Sequence, residues 1–261
     1  MEWQEISGNW VYLPRQEIRG IVHFLGGAFV ATAPQISYRS ILEQLSQAGF
    51  GIIATPFLNT FDHFAIAREV LNRFETVIER LQKTNKLTKG YLPIYGVGHS
   101  MGCKLHLLIG SLYDVERSGN ILISFNNYPA SRAVPFMEQF NQFNLAPMLD
   151  VEFAPSPIET ERLIAEHYQV RRNLLLKFTQ DELDQTVNLN AVLQNKFDNM
   201  ITLRTLTGNH LTPLSQNMRW QTGDFFTPID AVGQWLNQGM SRNLKSLGHE
   251  LTTWLNPMSA F

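Results

Sequence analysis

The 261 residues carry 44% hydrophobic and 17% charged side chains with a formal net charge of -2. That is enough apolar mass for one sizeable domain and too apolar a chain for disorder, and the near-neutral balance argues against the clustered Lys and Arg of a nucleic-acid footprint. The single cysteine, Cys103, excludes an intramolecular disulfide and a cysteine-based zinc site.

The start, Met1-Glu2-Trp3-Gln4-Glu5, is acidic and lacks the basic region and apolar core of a signal peptide. No apolar run approaches the roughly 18 residues of a membrane span. The expected location is the cytoplasm, or the plastid stroma for a plant source.

Taken in order, residues 9–14 and 18–25 read as strands separated by the polar run Arg15-Gln16-Glu17. The second strand runs into Gly26-Gly27-Ala28-Phe29. A helix follows with Tyr38, Ile41, Leu42 and Leu45 on one face and Gly49 as its stop. Phe50 to Thr55 predicts a short strand closed by Pro56. Asp62 is placed to cap a helix whose apolar face is Ile66, Val70, Phe74, Val77 and Leu81.

The decisive stretch is next. Leu92 to Val97 is a short apolar run, Gly98-His99-Ser100-Met101-Gly102 is Gly-x-Ser-x-Gly, and Leu105, Leu108, Ile109 and Leu112 carry a helical period. Strand, sharp turn and helix in that order are the context a nucleophile elbow requires. The new helix points its amides and the positive end of its dipole at the serine. No Gly-Lys-Ser/Thr follows, which argues against a phosphate loop.

Further strands are expected at Ile121–Phe125, Asn173–Phe178 and Ile201–Leu206, with helices from Thr227-Pro228 through Leu236 and from Lys245 to Leu255. Alternating strands and helices predict an α/β chain with a three-layer, mostly parallel sheet. Tyr128 to Val170 breaks the rhythm: it holds five of the 12 prolines and the large apolar residues Phe136, Met137, Phe140, Phe143, Met148 and Phe153. Connections this long suggest a cap or binding loop inserted at about 128–170. Within it, Ser156, Pro157 and Glu159 mark a capped helix start.

A serine hydroxyl needs a base, and the base needs a carboxylate to orient it. Catalytic groups collect at the carboxyl ends of strands. Of seven histidines, His210 lies just past the strand ending at Leu206. Asp181 is the first carboxylate beyond Phe178, with Asp184 as the alternative, and either one can instead cap the helix that follows. The oxyanion would meet the backbone N–H of Met101 and that of Gly27 or Ala28 in the early Gly-rich turn. Cys103 reads as buried filler. No metal spacing is present and no cofactor is called for.

These residues, Gly26-Gly27-Ala28-Phe29, the elbow, Asp181 and His210, resemble the α/β-hydrolase superfamily over nearly the whole chain. Within it, His23 to Val30 resembles a hydrolase-like family of cyanobacteria and plastids. The departure is Leu25-Gly26, where the superfamily usually has His-Gly. The resemblance implies one α/β-hydrolase domain over residues 1–261. The expected activity is hydrolysis of a small carboxylic ester or thioester with an apolar part, its pocket lined by Phe29, Phe136, Phe140 and Phe143. The other reading is a binding or scaffold protein that keeps the fold without catalysis.

Overall fold

A computed structural model describes residues 2–28, 30–87, 91–132, 152–215 and 240–256. Its centre is an eight-stranded sheet: β1 (Gln4–Ile6), β2 (Asn9–Tyr12), β3 (Gly20–Leu25), β4 (Phe50–Ala54), β5 (Ile94–His99), β6 (Gly119–Ile123), β7 (Asn173–Phe178) and β8 (Ile201–Leu206). The spatial order is β1-β2-β4-β3-β5-β6-β7-β8. From β4 to β8 all neighbours are parallel, while β1 and β2 run antiparallel at one end. This is the α/β architecture expected from the sequence.

The helices are α1 (Pro34–Ser37), α2 (Arg39–Gln47), α3 (His63–Lys83), α4 (Met101–Leu112), α5 (Pro157–His167), α6 (Thr186–Phe197) and α7 (Met240–Leu255). Strand residues alternate between two cores. Val22, Phe24, Tyr95, Val97, Ile121, Ile123, Leu174 and Leu176 face Ile41, Leu42 and Leu45 of α2 and Leu244, Leu247 and Leu251 of α7. On the other side Leu25 meets α3 and α4, and Leu122 and Leu175 meet α4, α5 and α6.

Several expected local signals hold. Asp62 accepts the Ala65 amide, and Ser156 and Glu159 form the reciprocal capping box of α5. The described end of the 128–170 insertion, α5, packs its Ile164 beside Leu107 of α4. It is a crossover helix between β6 and β7. Residues 133–151 of the expected cap, with Phe136, Phe140 and Phe143, lie outside the described residues, as do Phe29 and the helix expected from Thr227. β1 was not foreseen: only Ile6 of its three residues is buried.

Both faces of the sheet hold buried imidazoles. His23 on β3 stacks on Phe74 with centroids 4.1 Å apart, and its Nδ1 accepts from Arg117 Nη2 at 3.1 Å. Its Nε2 is 3.1 Å from the Thr55 hydroxyl. His106 of α4 meets it edge-on, and His63 stacks on Phe153. Burial, first of all, pulls His63, His99 and His106 down to about 3 and His23 well below its ordinary value.

These four rings are neutral in the folded chain, whereas in the unfolded chain they take up protons as the pH falls below about 6.5. The unfolded state then binds more protons, so these rings lower stability as the pH falls below about 6.5. For His63, His99 and His106 the loss runs on to about 3, at up to roughly 1.4 kcal/mol per pH unit for each ring. Urea titrations at pH 7 and pH 5 should show a large loss of midpoint. His63→Phe should reduce that slope while holding or raising stability at pH 7, because both ring nitrogens of His63 lack a partner among the described residues.

Candidate active site

The site is built where α4 presses on β5. A Cβ at Gly98 would lie 2.6 Å from the Gly102 carbonyl carbon, and one at Gly102 would collide with the Leu25 carbonyl. No side chain fits at either position. The chain therefore reverses within the intervening residues, and Ser100 is forced to φ 55°, ψ -119° at the N-cap of α4. For a non-glycine residue this is a strained conformation of the kind found at functional sites. The Ser100 amide is tied to the Ile123 carbonyl at 2.9 Å, which anchors the apex to β6.

Two further strand ends bring their side chains to that apex. Asp181 follows β7, and its carboxylate accepts from His210 Nδ1 at 2.9 and 3.1 Å. The other ring nitrogen, Nε2, lies 3.1 Å from Ser100 Oγ. The tautomer follows from the partners: Nδ1 carries the proton toward the carboxylate, leaving Nε2 to accept from the serine hydroxyl. The His210 loop, just past β8, is stapled by Asn209 N–H to the Thr212 hydroxyl and by Leu211 N–H to the Asn209 side chain.

The two candidate acids separate cleanly. Burial alone would raise the Asp181 carboxyl, but the hydrogen bond and charge of His210, with the Leu183 amide, outweigh it and hold it below its ordinary value. Asp184 instead accepts the Thr186 amide and hydroxyl at 3.0 and 2.7 Å at the start of α6. Burial pushes its carboxyl up, opposed by those bonds. Asp184 is a helix-start residue, and Asp181 is the one on His210.

At the turn expected to meet the oxyanion, the candidate amides differ. The Gly27 amide is donated to the Tyr38 hydroxyl at 2.7 Å, so it is already engaged. Met101 and Ala28 donate no backbone hydrogen bond to another described residue. Cys103 is fully buried, with Sγ 3.2 Å from the carbonyls of Gly98 and Ile123, and burial pushes its thiol well up. Among the described residues no group of three His, Cys, Asp or Glu is placed to hold a metal ion, and no helix is long and apolar enough to cross a membrane.

Sequence reasoning missed three residues here. Asn126 Nδ2 donates to Ser100 Oγ at 3.0 Å, leaving the serine proton free for His210. Its signal was available: it lies just past the carboxyl end of β6, beside the elbow strand. Tyr38, read as an apolar helix-face residue, presents its hydroxyl to Gly27 and to His99. His99, the variable residue of the elbow, reaches the His210 carbonyl.

Solved structures share this fold at low identity. Carboxyl esterase 2 from the mycorrhizal fungus Tuber melanosporum is similar at 15% identity over 95% of this chain and 82% of its own, with a TM-score of 0.56. The esterase domain of a Rhodothermus marinus protein matches at 15% identity over 95% and 92%, with a TM-score of 0.55. A Paleococcus ferrophilus monoacylglycerol lipase matches at 16% over 90% and 98%, with a TM-score of 0.53. Together with the strand order they establish the α/β-hydrolase fold. A search of curated proteins found no match. The model of a family described as protein of unknown function DUF1350 matches residues 2–257, and the chain belongs to that family.

Proposed function

We infer that the protein is a serine hydrolase acting on a small carboxylic ester or thioester. The observation that carries this reading is the unbroken run Asp181–His210–Ser100, with bonds of 2.9 and 3.1 Å ending on a serine held at φ 55°. Ser100 Oγ attacks the carbonyl carbon as His210 Nε2 takes its proton. Asp181 stabilises the resulting imidazolium. The tetrahedral oxyanion is met by the amides of Met101 and Ala28 at the positive end of α4. His210 then returns the proton to the leaving alcohol or thiol, and water repeats the cycle on the acyl-enzyme.

The apolar character of the substrate rests on the Phe- and Met-rich stretch between Tyr128 and Val170. The esterases and the lipase among the structural neighbours agree with an ester substrate. One observation favours the other reading, a binding protein on a retained fold: the Gly27 amide is not free.

A fluorophosphonate probe separates the two. Labelling that is lost in Ser100→Ala, with turnover of an activated acyl ester down about 10³-fold or more, is the expected result. Unlabelled wild-type protein would leave the binding reading. The acid is tested by a pair of variants measured together. Asp181→Asn should lower kcat by about 10⁴-fold, whereas Asp184→Asn should stay within about tenfold, since it touches only α6. Equal losses from the two would overturn the assignment of Asp181.

A further inference from the structure

Building on the serine-hydrolase reading, the geometry points to Tyr38 and His99 as positioning residues that lock the backbone of His210 to the oxyanion turn through a single one-way chain of hydrogen bonds. The links are Gly27 N–H to the Tyr38 oxygen at 2.7 Å, Tyr38 O–H to His99 Nδ1 at 2.8 Å, and His99 Nε2–H to the His210 carbonyl at 2.9 Å. Its direction is fixed at both ends. An amide can only donate and a carbonyl can only accept, so every proton between them points the same way. His99 is thereby held in the Nε2–H tautomer.

The chain does what the triad alone does not. Asp181 orients the His210 ring by gripping Nδ1, and the Gln180 amide ties the loop to the end of β7 at the Gly208 carbonyl, which leaves the loop in need of an anchor to the elbow itself. His99 supplies it from the residue adjoining the nucleophile, so base and serine are referenced to the same strand end. Tyr38 and His99 are 0% and 2% exposed, which shields the link between them from water. Gly27 makes the approach possible: a Cβ there would stand 3.3 Å from both His99 Nδ1 and the Tyr38 oxygen. Burial holds His99 near 3 and pushes the Tyr38 phenol up, so neither changes charge at neutral pH.

The test uses the full chain with Tyr38→Phe, His99→Leu and His99→Gln, the last retaining a donor for the His210 carbonyl. Misplacing the base by about 1 Å should lower kcat about 10–100-fold in Tyr38→Phe and His99→Leu, with KM within about twofold. The factor should be the same for p-nitrophenyl acetate and butyrate, because the chain touches no substrate. His99→Gln should recover most of the loss.

Imidazole ¹⁵N spectra give a readout independent of turnover. Wild-type His99 should be the neutral Nε2–H tautomer with no titration between pH 5 and 8, and Tyr38→Phe should mix the tautomers. A kcat per folded molecule unchanged in Tyr38→Phe, with only the melting temperature lowered, would overturn the proposal. So would a wild-type His99 found as the Nδ1–H tautomer. If His99→Leu does not fold, Tyr38→Phe decides. Should wild-type protein neither label nor turn over esters, the hydrolase reading fails by itself. The low-field His210 Nδ1 proton then decides the positioning claim: weakened in Tyr38→Phe it stands, unchanged it falls.

Discussion

The close approach of α4 to β5 is the constraint on which the site depends. With no Cβ possible at Gly98 or Gly102, the helix backbone settles against the strand and against Leu25 of β3. The reversal that results is too short for relaxed geometry, so Ser100 takes the strain and stands clear of both elements. The same approach aims the first amides of α4 at the space above Ser100. Ser100 and the first amides of α4 thus come from one packing contact, and neither can be moved without the other.

Around that contact the protein tolerates a costly interior. Imidazoles and a guanidinium sit among apolar side chains, with Arg117 stacked over Phe74 and two of its nitrogens without a partner among the described residues. The polar groups are linked where linkage is possible: Tyr168 bridges Asn120 and Asn173, and Thr55 bridges His23 and Asn9. Such networks make a core specific in its arrangement and sensitive to protons. His99 is the member of this set put to use beside Ser100.

What could be read from the sequence follows from how local each signal is. The elbow compresses a strand end, a steric demand for glycine and a helix start into five residues, so it was legible. Asp181 and His210 were legible because each is the first suitable side chain past a strand that its β-rich composition had already marked. Asp184 could be separated from Asp181 only by seeing that Thr186 occupies it. Tyr38 was beyond reach: its hydroxyl serves a histidine 61 residues away, and an apolar period shows only that its ring is buried. Asn126 left a positional trace, but no hydrophobic pattern singles out an amide that points at a serine. β1, with two exposed residues in three, had no pattern to offer.

The spread of the site across the sheet sets an order of assembly. Ser100 leaves β5 in the middle, Asp181 leaves β7, and His210 leaves β8, the outermost strand of the described sheet on that side. During synthesis Ser100 emerges well before its hydrogen-bond partner His210, from which it is separated by 110 positions. Domains fold as units when their long-range pairings close. In the proposed hydrolase the serine would have no base until β8 pairs with β7, and a chain lacking that pairing would be silent toward esters. On that reading, pairing of β8, the outermost described strand on that side, is what would complete the site.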